Sequence, residues 1–116
     1  MKVNKNLSII IPVYNAEETI EQCILNIIQE AKKYTHEIIV IDDNSTDKTF
    51  SIVQKFKDIK LIRLEKNMGV GYARNIGIRY SKYDTLCYID SDLIISKNSI
   101  YHLLEKMSQN ESVGSV

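Results

Sequence analysis

Leu7-Ser-Ile-Ile-Ile-Pro-Val13, a polar corner at Tyr14-Asn15, and then apolar residues at Ile20, Cys23, Ile24, Ile27, Ile28 and Ala31 decide the fold class. The first run is short, apolar and rich in β-branched residues, the pattern of a strand buried on both faces. Pro12 falls near its C-terminal end, where a missing N–H costs least. The second set recurs at i, i+3, i+4, i+7, i+8 and i+11, one continuous helical face, and predicts a helix over about 16–33. Asn15, with Glu18 three residues on, reads as an Asn-for-Ser version of the capping box.

The same alternation continues along the chain. Ile38-Ile-Val-Ile41 makes 37–42 a second buried strand. Ser45 or Asp47 can cap a helix over about 47–56, with Phe50, Val53 and Phe56 inward. A third strand is predicted over 59–64, and a loop over 65–69 leads to a helix over 70–80 with Ala73, Ile76, Gly77 and Tyr80 on its inner face. A fourth strand covers 85–89, a fourth helix 98–107, and 112–116 resembles the start of another strand. Such alternation predicts an α/β domain over 1–116, a mostly parallel Rossmann-like sheet with right-handed crossovers and helices on both faces. In an open parallel sheet, ligands bind beyond the carboxyl ends of the strands, so function is sought at 12–16, 42–47, 65–71 and 90–93.

Composition narrows the classes. With 116 residues, 44% hydrophobic and 26% charged, the chain holds one ordinary globular domain. Fifteen basic and fifteen acidic residues cancel, so no charge excess argues for nucleic acid or a polybasic membrane anchor. No apolar run is long enough to span a bilayer, and residues 1–6 lack a signal-peptide h-region, which makes the cytoplasm the default expectation. Cys23 and Cys87 have neither CxxC nor metal-type spacing and read as buried, reduced thiols. His36 and His102 lack partner ligands in sequence and read as surface or capping residues.

The strand-end loops carry the chemistry. In Asp90-Ser-Asp92, carboxylates two residues apart can address one small volume, and their repulsion calls for a cation or a shared proton. Hard oxygen ligands favour Mg²⁺ or Mn²⁺, which take one or two carboxylates and fill other positions with diphosphate oxygens. Asp-x-Asp is very common, and in isolation it fits a solvated turn, with Asp90 capping a nearby group, better than a metal site. Asp42-Asp43-Asn-Ser can form an Asx-turn, or one carboxylate can accept an N–H from a nucleobase that stacks on Tyr14. Asn67-Met-Gly-Val-Gly71 resembles a phosphate-cradling loop, with Arg74 and Asn75 early in the helix that follows. It matches neither G-x-G-x-x-G nor the P-loop.

In order, Leu7-Ser-Ile-Ile-Ile-Pro-Val-Tyr-Asn15, Ile39-Val-Ile-Asp-Asp-Asn-Ser-Thr-Asp47, Asn67-x-Gly69, Ala73-Arg-Asn-x-Gly77 and Ile89-Asp-Ser-Asp92 resemble the family 2 glycosyltransferases of the GT-A fold. The resemblance implies an inverting transferase that uses a nucleoside-diphosphate sugar and Mn²⁺ or Mg²⁺. Carried over by position, it implies that Pro12 and Tyr14 line the nucleobase and ribose and that Asp43, rather than Asp42, binds the base. Arg74 would border the sugar or diphosphate. Asp90 would face the donor and metal, with Asp92 a direct metal ligand. The acceptor, whether glycan, lipid or protein, is not implied by these motifs, and association of the complete enzyme with a membrane surface is compatible with them.

The chain departs from the family pattern in two places. Ala16 stands where many relatives carry an acid, although Glu17 is adjacent. An inverting transfer also needs a base for the acceptor hydroxyl, and after Asp92 the acids Glu105 and Glu111 fall in or just after a predicted helix, not at a strand end. The expectation is therefore a donor-binding portion cut off after the Asp-x-Asp motif, prone to self-association through an exposed sheet edge at 112–116. A sugar-nucleotide-binding module without turnover, and a remnant that keeps only the fold, are the alternatives from other classes. A nucleotidyltransferase of similar topology is disfavoured, because no Gly-rich, Lys- or Arg-bearing signature follows the first strand.

Overall fold

Strand β1 (Asn6–Val13) places Leu7, Ile9, Ile10, Ile11 and Val13 in the core, which is why an apolar run with no alternation forms a central strand. The structure is a computed structural model and describes residues 6–91. After β1 come α1 (Ile20–Ala31), β2 (Thr35–Asp42), α2 (Thr49–Gln54), β3 (Lys60–Arg63), α3 (Val70–Tyr80) and β4 (Thr85–Tyr88). The four strands lie in the order β3-β2-β1-β4, and every pairing is parallel.

Strand pleating sorts the core into two layers. Leu7, Ile9, Ile11, Val13, Ile38 and Val40 pack with Ile20, Cys23, Ile24, Ile27 and Ala31 of α1 and Val53 of α2. Ile10, Ile39 and Ile41 face the other way, toward Ala73 and Ile76 of α3. The parallel α/β sheet with helices on both faces is thus present as expected. The chain steps from β1 to β2 and β3 on one side and then crosses to β4 on the other. The crevice beyond the carboxyl ends of β1 and β4 is therefore a topological switch point.

Several boundaries differ, each for a tertiary reason. Helix α1 starts at Ile20, because residues 16–19 form a turn in which Ala16 O accepts the Thr19 and Ile20 N–H groups at 3.1 and 2.9 Å. Asn15 does not cap this helix; its side chain is spent on Thr46. Helix α2 is shorter than 47–56, with Lys48 at the N-cap position. Asp47 still accepts the Thr49 N–H at 2.9 Å, whereas Ser45 turns back to Asp42. Tyr80, expected inward, is 51% exposed. The stripe of α3 against the sheet consists of small residues, and at Gly77 a Cβ would lie 2.4 Å from Ile10 Cγ2 and 2.9 Å from Ile41 Cδ1. The helix approaches too closely for a large residue beside them, and Tyr80 ends up past the packed surface. The predicted helix over 98–107 and strand over 112–116 lie outside the described residues.

Candidate functional site

The loops after β1 and β2 are stitched together side by side. Asn15 has φ 48°, a left-handed conformation that Asn tolerates better than most residues. Its N–H donates to Ser45 Oγ at 2.9 Å, and its Oδ1 accepts the Thr46 N–H at 2.8 Å. Ala16 N donates to Thr49 Oγ1 at 2.8 Å. Glu17 and Asp47 exchange support: Glu17 N donates to Asp47 Oδ2 at 3.2 Å, and Glu17 Oε1 accepts the Lys48 N–H at 2.9 Å. Desolvation works against ionisation of Asp47, but hydrogen bonds from Thr49 and the Glu17 N–H outweigh it and hold the carboxyl below its ordinary range.

The two carboxylates at the end of β2 have different environments. Asp42 is fully buried; its Oδ1 accepts from Ser45 N at 3.0 Å and from Ser45 Oγ at 2.5 Å, a side-chain-closed turn one residue longer than an Asx-turn. Asp43 N donates to Val13 O at 2.8 Å, which turns the Asp43 side chain toward the loop before α3. There Oδ1 accepts the Met68 N–H at 2.6 Å and Oδ2 the Gly69 N–H at 2.9 Å. Gly69 has φ 95°, a conformation that glycine adopts without strain. The amides of this loop, which on sequence resembled a phosphate cradle, are therefore already taken at Met68 and Gly69 by a protein carboxylate. Asp43 is itself the anion beside the N-terminus of α3. A carboxylate has about four acceptor positions, so both oxygens keep capacity for a further donor.

Asp43 forms one wall of a narrow slot of about 90 Å³ completed by Pro12, Val13, Tyr14, Val70 and Ala73. The slot adjoins an open cleft of about 680 Å³ that shares Pro12, Tyr14 and Val70 and extends past Asn15, Ala16, Thr19, Glu17, Glu18 and Asp47 to Asp90 and Ser91. Tyr14, 47% exposed, stands between the two. Among the described residues, the cleft lining contains four carboxylates and no Lys or Arg. Asp90 is held at its mouth by the backbone: Ile89 N donates to Ile10 O at 3.1 Å, and Cys23 Sγ lies 3.7 Å from Asp90 O.

The structure thus brings Pro12, Tyr14, Asp43 and Asp90 to one edge of the sheet. It does not bring Arg74 to the lining of either cavity. The Arg74 guanidinium lies over the Tyr88 ring, 5.1 Å from its centroid, and Nε is buried without a hydrogen-bond partner among the described residues. Asp92 lies outside the described residues. Among those described, no group of three or more His, Cys, Asp or Glu is arranged to hold a metal by itself. That is compatible with Mg²⁺ or Mn²⁺, which are held by one or two carboxylates with phosphate oxygens completing the shell. Cys23 and Cys87 are buried and form no disulfide, as expected, and burial pushes the Cys87 thiol up to about 12. The side-chain turn at Asp42-Asp43-Asn-Ser was legible in the sequence, but its link from Ser45 to Asn15 was not; the signal for that link was an Asn at a strand-to-helix corner, a residue type suited to a left-handed turn.

A parallel α/β sheet with its crevice at the switch point places the chain in the class of open α/β proteins that take ligands beyond the carboxyl ends of their strands. Within that class, the chain matches the family description "Glycosyl transferase family 2" over residues 8–116, and it belongs to that family. It is 39% identical over 111 residues to an uncharacterized glycosyltransferase of Haemophilus influenzae, covering 92% of this chain and 44% of that protein. It is 32% identical over 116 residues to the poly-beta-1,6-N-acetyl-D-glucosamine synthase of Staphylococcus aureus strain COL, covering 97% of this chain and 28% of the synthase. Among solved structures, S. aureus TarS 1-349 in complex with UDP superposes with a TM-score of 0.76 at 27% identity over 91% of this chain and 33% of that one. The complex of TarS 1-349 with UDP-GlcNAc gives 0.75 at 28% identity, covering 91% of this chain and 32% of that one. The chain spans less than half the length of these relatives.

Proposed function

We propose that this chain forms the donor-binding part of an inverting glycosyltransferase and takes a nucleoside-diphosphate sugar with Mn²⁺ or Mg²⁺. The observation that carries the reading is the continuity of the narrow slot with the acidic cleft. In the slot, Asp43 offers its remaining lone pairs to a base N–H, while Tyr14 and Val70 give apolar faces for the ring. The cleft then leads from Tyr14 to Asp90. A bare diphosphate entering it would meet Glu17, Glu18, Asp47 and Asp90 with no cation in the lining among the described residues, and such a cluster of carboxylates favours an anion that arrives with a divalent ion. Asp90, with Asp92, is the carboxylate pair assigned to that ion, whose charge would offset the diphosphate and favour its departure. Uridine is the base favoured, because TarS was solved with UDP and UDP-GlcNAc. Transfer to an acceptor is proposed for the complete enzyme.

Calorimetric titration with UDP in Mn²⁺ and in EDTA tests the reading. Binding is expected to be much tighter with the metal, and Asp90→Asn or Asp92→Asn is expected to remove most of that difference while leaving uridine binding unchanged. Equal UDP affinity in Mn²⁺ and EDTA would refute the metal assignment; no binding under either condition would refute the donor site.

A further inference from the structure

We infer that Arg63, which lines neither the slot nor the cleft, is a positioning residue for the nucleobase end of the site; the inference rests on the donor-site reading above. Asp42 is buried, and its Oδ2 accepts no hydrogen bond among the described residues. The cation beside that oxygen is Arg63, whose Nε lies 3.7 Å away. Arg63 Nη2 also donates to Ser45 O at 3.0 Å, and the guanidinium lies 4.6 Å from the Phe50 ring centroid. A planar guanidinium can meet two acceptors along its edge while an aromatic ring covers its face; a lysine cannot. The side chain is half exposed, yet it is held on three sides.

What Arg63 holds is a turn with a defined hydrogen-bond direction. Ser45 Oγ gives its proton to Asp42 Oδ1 at 2.5 Å, so it faces Asn15 with lone pairs only and accepts the Asn15 N–H at 2.9 Å. Asn15 sits at φ 48°, a conformation that costs free energy and persists where its contacts enforce it. The preceding residue is Tyr14, a wall of both cavities. Removing the guanidinium leaves a buried carboxylate without its counter-charge and frees the Ser45 carbonyl. The turn loosens, Asn15 loses the acceptor that fixes its backbone, and Tyr14 no longer stands in one orientation. The remaining Asn15–Thr46 contacts are exposed, and water can replace them. Arg63 thus tunes base binding through Asp42, Ser45 and Asn15 without touching the donor.

The test compares Arg63→Met, Arg63→Lys and a control cation on the same strand, Lys60→Met, in the full chain. Uridine and UDP with Mn²⁺ are titrated by calorimetry, and backbone amide exchange is followed by NMR. Arg63→Met is expected to weaken uridine and UDP by the same factor, about tenfold, with the ratio of UDP affinities in Mn²⁺ and EDTA unchanged. Arg63→Lys should recover part of the loss, and Lys60→Met should show none. Exchange at Asn15 N–H should quicken by about tenfold in Arg63→Met, while amides in the middle of β1 keep their wild-type rates. Wild-type affinity with wild-type Asn15 protection would overturn the inference. So would loss of protection spread evenly over β1, which marks a stabilising role only. If the wild-type chain bound neither uridine nor UDP, the donor-site reading would fall, and Asn15 exchange alone would still decide the role of Arg63 in ordering the turn.

Discussion

Asp43→Ala removes an acceptor used twice within the protein, and its effect on stability follows from that geometry. The carboxylate takes the Met68 N–H at 2.6 Å and the Gly69 N–H at 2.9 Å, and the residue is 4% exposed. A hydrogen bond to a charged group contributes about 1.5–3 kcal/mol when neither partner can return to water. Met68 is 40% exposed, so its amide can rehydrate once released. The lower part of the range therefore applies, and the two bonds together are worth about 3–4 kcal/mol. The negative charge near the first turn of α3 adds about 0.3–1 kcal/mol. Asp43→Asn keeps one acceptor oxygen and should lose about half as much. Urea unfolding by linear extrapolation reads the stability change, with an unchanged m-value as the check that the unfolded state is not altered. Uridine titration, at a temperature where the variant is folded, reads the binding role separately. An Asp43→Ala protein within about 0.5 kcal/mol of wild type would refute the double anchoring. A destabilised variant that still binds uridine normally would make Asp43 a loop anchor and nothing more.

Three further outcomes are expected. Gly77→Ala should destabilise by about 1–3 kcal/mol, because the new Cβ would lie 2.4 Å from Ile10 Cγ2; adding Ile10→Val should return part of the loss in chemical denaturation, and a neutral Gly77→Ala would mean α3 sits farther out. Glu37 is partly desolvated, which raises its pKa, but the Ser8 hydroxyl, the Lys82 N–H and the Lys60 and Lys82 charges outweigh this and hold it below 4.5. The folded state therefore favours the ionised form: its stabilisation is complete above pH 4.5 and is lost as pH falls through the depressed folded value. Glu37→Gln should flatten the acid limb of a stability-versus-pH curve, and an unchanged limb would remove Glu37 as its source. Cys87, with its thiol raised to about 12 by burial, should resist iodoacetamide at pH 8 in the native protein and react on unfolding, as peptide mapping would reveal.

Much of the architecture was legible because it rests on local periodicity. The unbroken apolar runs at 7–13 and 38–41, the helical stripe from Ile20 to Ala31 and the turn residues between them are enough for a parallel sheet covered on both faces. The ends of those strands could be read too: once the sheet is parallel, Pro12, Tyr14, Asp43 and Asp90 must fall along one edge, whatever the details. What the sequence could not decide were the partners across that edge. Asn15 and Glu18 match a capping box, yet Asn15 is held by Ser45 and Thr46, thirty and thirty-one residues away. Asp42 and Asp43 are adjacent and chemically identical; the pleat buries the first against Ser45 and Arg63 and sends the second toward Met68 and Gly69. The glycine-rich loop resembled an anion cradle until Asp43 was found occupying its amides. Local pattern is set by the repeat of the backbone and carries through to fold and site edge, whereas a hydrogen bond between distant loops depends on which side chain arrives within about 3 Å, and only the packed chain settles that.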